Sequence, residues 1–239
     1  MIGATLRRRL LAGECISMIN PHHVSSGLAA RLCELGADTV FLDCEHGAAS
    51  FEEVRAMAAA ARGAGGGAIV RPANHERSLL IRYLNNGADG LMVPMVDTAE
   101  EARAVVEAVR YGCYADHEDR LVVVMIETLE AIGNLDAILK VDGVDVVFVG
   151  PGDLSQAMGF PPAVPIGQTR DRKVLDAVET TLKRIRDGGR IPGTLVTEAD
   201  IEHYAAIGTR FFYIHSDPFL RAGVKRMKDL ADAGAGAPR

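Results

Sequence analysis

Charged side chains close apolar runs at several points along this chain. Thr39–Cys44 leads into Asp43-Cys44-Glu45-His46-Gly47, and Ala68–Pro72 ends on Arg71-Pro72. Leu121–Glu127 ends on Glu127, and Asp145–Gly150 leads into Gly150-Pro151-Gly152-Asp153. Phe211–His215 is followed by Ser216-Asp217. Glu127 and Asp153 are two carboxylates with no nearby Cys and no His on either run. That set suits a hard divalent cation, Mg²⁺ or Mn²⁺, that keeps some of its waters. The plain alternative is that both acids favour the starts of the helices that follow. His46 lies one residue beyond Glu45 and three beyond Asp43, and a His oriented by a carboxylate is a usable general base. Otherwise it is a surface loop His. Arg71 could grip a carboxylate with both arms of its guanidinium, or form an ion pair at the rim.

The remaining histidines divide by position. His22 and His23 follow the run Cys15–Asn20 and should face the same region as His46. His215 reads first as a packing residue at the end of its run. His75, His117 and His203 read as surface residues. Lysines exclude one mechanism. The five, Lys140, Lys173, Lys183, Lys225 and Lys228, all follow or lie within helical patterns. None stands at the end of an apolar run, so imine chemistry is disfavoured. Electrophilic work then falls to a metal, worth several kcal/mol when it polarises a carbonyl.

These residues need a scaffold that brings run ends together. Eight apolar runs fit strands: the five above plus Cys15–Asn20, Gly90–Val96 and Ile191–Val196. Most are continuous rather than alternating, as buried parallel strands are. Helical patterns separate them at Ser26–Leu35, Phe51–Arg62, Arg77–Asn86, Thr98–Arg110, Leu129–Leu139, Arg172–Arg186 and Glu198–Ile207, and Pro218–Leu230 follows the last. Thr98 and Thr197 are N-cap types, and Gly36, Gly87 and Gly208 stand where helices should stop. Eight such units predict a single-domain (β/α)₈ TIM barrel over residues 1–232, with 233–239 a flexible tail. The C-terminal ends of barrel strands form the active face, where the run-ending residues converge. The Gly-rich stretch 62–67 precedes a strand, so it reads as a plain turn at the opposite face.

The composition agrees. The chain has 239 residues, 48% hydrophobic and 24% charged, with a net charge of −6. The acidic balance argues against a nucleic-acid partner. No run reaches the 18 or so apolar residues of a membrane span, and the N-terminus does not read as a signal peptide. Four cysteines without metal or redox spacing point to a reduced, cytoplasmic protein.

At these residues the sequence resembles the HpcH/HpaI aldolase family, the metal-dependent class II pyruvate aldolases. The matching stretches are Phe41–Gly47, Val70–Pro72, Gly87–Thr98, Ile126-Glu127 and Val147–Ser155, the last containing Gly-Pro-Gly-Asp-Leu-Ser. The resemblance implies a lyase that cleaves 4-hydroxy-2-oxo acids to pyruvate and an aldehyde, or runs the reverse. Glu127 and Asp153 would hold Mg²⁺ or Mn²⁺, with Co²⁺ a further candidate. Arg71 would bind the keto oxygen as charge develops on it. His46, oriented by Asp43, would move the proton of the aldol hydroxyl. Backbone N–H groups around Gly152 and Asp153 would hold the carboxylate. The resemblance also implies a homo-oligomer, a hexamer built from dimers.

The chain departs from the family pattern at three places. Tyr111–Arg120 replaces a longer segment, Met125 stands where a Gln is common, and Asn85 where an Asp is common. Relatives on the scaffold also make citrate from oxaloacetate and an acyl-CoA, or cleave citryl thioesters. That acyl-CoA chemistry is the alternative, and a non-catalytic barrel is a third reading.

Overall fold

Eight parallel strands close on themselves in sequence order, each hydrogen-bonded to the next and the last to the first. The computed structural model describes residues 2–164 and 168–235. The strands are β1 Ile16–Asn20, β2 Thr39–Asp43, β3 Gly67–Arg71, β4 Gly90–Val93, β5 Leu121–Ile126, β6 Val146–Val149, β7 Ile191–Leu195 and β8 Phe211–His215. All eight expected strands are present, with β8 at its expected bounds and the ends of the others shifted by at most three residues. This is the (β/α)₈ barrel read from the alternation of apolar runs.

The helices are α1 Ile2–Leu11, α2 Ser26–Glu34, α3 Phe51–Gly63, α4 Arg77–Asn85, α5 Ala99–Gly112, α6 Leu129–Ile138, α7 Pro151–Ala157, α8 Arg172–Asp187, α9 Ile201–Ala206 and α10 Asp217–Ala235. Capping starts several of them. Ser50 and Thr98 each take the N3 backbone N–H while Glu53 and Glu101 return the bond, two complete capping boxes. The glycine-rich turn leads from α3 into β3. A Cβ at Gly66 would lie 2.3 Å from Cys33 Sγ, and one at Gly67 would lie 2.6 Å from Ile2 Cγ2, so close packing explains both glycines.

Side chains alternate between two cores. Ile16, Met18, Phe41, Ile69, Met92, Val123, Met125, Phe148, Phe211 and Tyr213 fill the barrel. Val40, Leu42, Val70, Leu91, Val122, Val124 and Val147 point outward into the helix layer. Continuous apolar runs follow from this, because both strand faces are buried. The next inward positions beyond the barrel core are Asn20, Asp43, Arg71, Glu127 and His215. The period of two therefore places the polar residues at the mouth.

Two helices were not read from sequence. α1 closes the bottom of the barrel, with Leu6 and Leu10 joining the interior cluster. Arg7 pairs with Asp145 at 2.5 Å, and Arg9 with Asp38 at 2.5 Å. α7 is a short helix directly after β6. The segment Tyr111–Arg120 turns through a 3₁₀ helix, His117–Asp119, beside α1, at the end of the barrel opposite the mouth. α10 begins one residue before its expected start and runs to Ala235, through the first residues of the expected tail. Residues 236–239 lie outside the described residues. None of the residues of α10 is buried, and Phe219, Leu220, Val224, Met227 and Leu230 are 53% to 71% exposed.

No helix among the described residues is long and apolar enough to cross a membrane. All four cysteines are free. Leu6 is 3% exposed and closes the barrel floor. Leu6→Ala should cost about 2–5 kcal/mol of stability, read as a shift in the urea unfolding midpoint.

Candidate active site at the barrel mouth

β2 and β3 are paired so that Asp43 stands directly opposite Arg71. The guanidinium uses that register. Arg71 Nε donates to Asp43 Oδ1 at 3.1 Å and Nη2 to Oδ2 at 2.7 Å. Glu45 Oε2 lies 3.1 Å from the same Nε. The Arg71 side chain is only 12% exposed, and its charge sits 5.5 Å from the centre of the Phe41 ring. Burial opposes the charge on Arg71, but the bonds from Asp43 outweigh it and raise its pKa. Burial likewise opposes charge on Asp43, and the Arg71 bonds still hold its carboxyl below the usual range. For Glu45 burial wins, and its carboxyl is pushed up despite Arg71.

The loop after β2 folds around Asp43. Its Oδ1 accepts the backbone N–H groups of Glu45 at 3.1 Å and His46 at 3.2 Å. A Cβ at Gly47 would lie 2.1 Å from the Asp43 carbonyl oxygen, so only glycine fits there. His46 differs from its expected arrangement. Its side chain is 66% exposed, and Nε2 lies 3.8 Å from Glu45 Oε2. Asp43 does not orient the imidazole: its oxygens take Arg71 and the backbone N–H groups of Glu45 and His46, and the ring lies beside Glu45. Glu45, the neighbouring carboxylate, was not singled out from sequence. The signal that could have found it is its place two residues beyond an inward strand end.

Glu127 is the most constrained acid of the mouth. It is 2% exposed and accepts the Met95 N–H on Oε2 at 3.0 Å. Met95 has φ +54°, a left-handed conformation that aims this N–H at the carboxylate. A Cβ at Gly150 would lie 2.4 Å from Glu127 Oε1, so Gly150 is the open wall of this cradle. Neither Met95 nor Gly150 could be picked out from sequence for these roles. Burial pushes the Glu127 carboxyl up to about 8, helped by the charges of Asp153 and Glu45 and opposed by the Met95 N–H and Arg71. Asp153 is in the first turn of α7, so β6 and the helix start bring it toward Glu127. Gly152 and Asp153 precede the first intrahelical bond, which runs from Leu154 N–H to the Gly150 carbonyl at 3.1 Å. Among the described residues their own N–H groups have no hydrogen-bond partner, which leaves them for a ligand oxygen.

A buried carboxylate with one hydrogen bond and a second acid beside it has the chemistry of a hard-cation site. No group of three or more His, Cys, Asp or Glu side chains forms a metal cage among the described residues. A cation between Glu127 and Asp153 would complete its shell with water or substrate oxygens, as Mg²⁺ commonly does. Beside His46 and Asp43 a cavity of about 150 Å³ is lined by Asn20, His22, His23 and Phe41. A larger cavity, about 660 Å³, is lined by Arg62, Asn85, Asp89, Cys113 and Arg120 at the opposite end of the barrel. It holds none of the candidate site residues.

A parallel eight-stranded barrel whose acids and one arginine meet at the strand ends has many relatives. The family model described as HpcH/HpaI aldolase/citrate lyase matches residues 23–217. The chain belongs to the HpcH/HpaI aldolase/citrate lyase family. A 2-keto-3-deoxy-L-rhamnonate aldolase of Klebsiella pneumoniae is 32% identical, covering 92% of this chain and 90% of its own length. A 4-hydroxy-2-oxovalerate aldolase of Rhodococcus jostii is 35% identical over 81% of this chain and 83% of its own. Among solved structures, a family protein from Burkholderia cenocepacia superposes with TM-score 0.84 over 96% of this chain and all of its own, at 23% identity. The citrate synthase SbnG superposes with TM-score 0.82, at 26% identity over 98% of both chains. Family membership and these aldolases indicate a carbon–carbon lyase.

Burial of Glu127 has a measurable consequence in metal-free protein. Its carboxyl binds a proton more tightly folded than unfolded, so the fold is favoured below about pH 4.5 and penalised as pH rises to about 8. Each pH unit in that window costs at most about 1.4 kcal/mol. Thermal unfolding in EDTA should show a steeper loss of Tm across this window for the wild type than for Glu127→Gln.

Proposed function

We propose that this protein is a divalent-metal-dependent class II aldolase. It cleaves 4-hydroxy-2-oxo acids to pyruvate and an aldehyde, or joins the two. The observation that carries this reading is the buried Glu127 carboxylate, with Asp153 beside it and Arg71 within its electrostatic reach. Mg²⁺, Mn²⁺ or Co²⁺ held by Glu127 and Asp153 would supply a Lewis acid at the 2-oxo group of the substrate. Ionised Glu127, disfavoured by burial alone, is compatible with such a cation.

Arg71 binds the 2-oxo oxygen through its Nη1 hydrogens, since Nε and Nη2 are engaged by Asp43 and Glu45. Its fixed charge favours the oxygen as negative charge builds there, without reorganisation during the step. Asp43 positions Arg71. The backbone N–H groups of Gly152 and Asp153 hold the substrate carboxylate. In cleavage His46 takes the proton of the C4 hydroxyl, the C3–C4 bond breaks, and its electron pair enters the pyruvate enolate. In addition the same proton returns to the new alkoxide. An exposed imidazole suits this role, because it must reach substrate and exchange with water.

The resemblance to the citrate synthase SbnG supports a second reading, in which the same enolate attacks an acyl-CoA. A screen of pyruvate and oxaloacetate against aldehydes and acyl-CoA partners separates the two by product.

Glu127→Ala and Asp153→Ala should each abolish metal-dependent turnover while circular dichroism stays that of a folded barrel. Full activity in EDTA would contradict the metal assignment.

Arg71 and His46 should separate in a half-reaction. Arg71→Ala should lose exchange of the pyruvate methyl protons in D₂O, followed by NMR. His46→Ala should slow carbon–carbon cleavage about 10²–10⁴-fold while exchange persists. Equal loss of exchange in both would assign His46 to the enolate instead.

The reading extends to assembly. Five large apolar side chains exposed on α10 support a homo-oligomer, a hexamer built from dimers. Light scattering at micromolar concentration should give a mass well above 25.5 kDa.

A further inference from the structure

The mouth holds one polar cluster that the proposed reaction does not use. Asn20 at the end of β1 is the direct register partner of His215 at the end of β8. Tyr213, two residues before His215 on the inward face, packs edge-on against Phe41 with ring centres 4.8 Å apart. Asn20 is 6% exposed and its Nδ2 donates to the Tyr213 hydroxyl at 2.7 Å. Its Oδ1 accepts the His22 backbone N–H at 2.8 Å. His22 has φ +57°, a conformation non-glycine residues adopt under local constraint. So held, the His22 ring stacks on His215, with centres 4.8 Å apart and planes 17° apart. His22 Nε2 lies 2.7 Å from His215 Nδ1, and the Tyr213 hydroxyl 3.4 Å from the same atom.

One hydrogen bond joins the two rings, between His22 Nε2 and His215 Nδ1, so one of these nitrogens donates and the other accepts. Burial, then the charge of His22, and last that of Arg71 push the His215 pKa down to about 4 against the raising charge of Asp217, so the ring is neutral near pH 7. With both rings neutral, the two outer nitrogens, His215 Nε2 and His22 Nδ1, are left as one donor and one acceptor. An alcohol both donates and accepts, and complements such a wall.

Location and charge narrow the ligand. The pair stands at the end of β8 and in the loop after β1, across the barrel from Glu127 and Asp153, and His22 lines the 150 Å³ cavity that also borders His46 and Asp43. That volume is below the roughly 300–1,000 Å³ of pockets for drug-sized ligands, so it suits a short ligand. Asp43, Glu45, Glu127, Asp153 and Asp217 act on the mouth and its rim, against Arg71 and the half-buried Arg170. A divalent cation and one 2-oxo acid carboxylate leave no surplus positive charge for a second anion.

We propose that the His22–His215 pair, braced by Asn20 and Tyr213, forms the acceptor-side wall of the mouth and selects short, uncharged hydroxyaldehydes. It does so over unsubstituted aldehydes and over aldehydes bearing a carboxylate. A site that pairs a substrate hydroxyl disfavours the analogue lacking it, because its own polar groups are then left unpaired.

The inference rests on the aldolase reading, and the test separates the two. Pyruvate is added to glycolaldehyde, acetaldehyde or glyoxylate with Mg²⁺ or Mn²⁺, comparing kcat/KM. The wild type should favour glycolaldehyde at least tenfold over each of the others. His22→Asn, whose side chain tolerates the left-handed backbone, and His215→Leu should each reduce the glycolaldehyde-to-acetaldehyde ratio at least tenfold. His22 is an exposed loop residue, so that variant reports even if His215→Leu does not fold. A wild type without the preference, or an unchanged ratio in His22→Asn, overturns the inference. If the wild type still exchanges the pyruvate methyl protons in D₂O, the aldolase reading survives that outcome. No exchange and no addition with any acceptor overturns both.

Discussion

A carboxylate 2% exposed at the end of β5 is the constraint around which the mouth is arranged. Removing an ionised acid from water costs several kcal/mol unless neighbours compensate. Glu127 receives one backbone N–H, from a residue in a left-handed turn, and shares the mouth with the guanidinium of Arg71. Two more acids, Asp153 and Glu45, add repulsion rather than relief. With Glu127 and Asp43 they make four carboxylates against the Arg71 guanidinium, a region whose electrostatics favour a multivalent cation. Gly150 shows that the arrangement is steric as well as electrostatic. Its missing Cβ leaves the space the Glu127 carboxylate fills.

Arg71 is the counterweight, and the sheet fixes its position. Parallel pairing of β2 and β3 sets Asp43 opposite Arg71, so two arms of the guanidinium are spent before any ligand arrives. An arginine held at Nε and Nη2 loses little freedom on binding a ligand through Nη1. The same bonds explain why His46 stands apart from Asp43. A bidentate guanidinium takes both oxygens, and the loop beyond is tied by its backbone rather than by its imidazole.

The two ends of the chain meet opposite fates. α1 buries Leu6 and Leu10 in the floor of the barrel and is tied down by Arg7 and Arg9. α10 follows the last strand yet buries nothing, although Phe219, Leu220 and Met227 give it the apolar content of a packed helix. The barrel interior is complete without it, since its inward layers are filled by strands and α1.

Much of this was determined by the sequence alone. Eight apolar runs alternating with helical patterns specify a parallel barrel, because strands buried on both faces need a helix layer outside and a filled interior. Asp43, Arg71 and Glu127 drew notice because each closes an apolar run at its C-terminal end, and Asp153 because it follows one by three residues. Strand period and barrel geometry send such residues to the mouth. The pairings among them were decided by tertiary structure. Which carboxylate takes Arg71 depends on the register between β2 and β3, and no local pattern encodes that. Met95 and Gly150 gained their roles from segments distant in sequence folding against Glu127. His22 and His215 lie 193 residues apart and meet only because the barrel closes β8 on β1. α1 escaped notice because its apolar positions have meaning only once a barrel floor exists to receive them. Sequence fixes which groups a strand end presents, whereas closure of the sheet decides which of them touch.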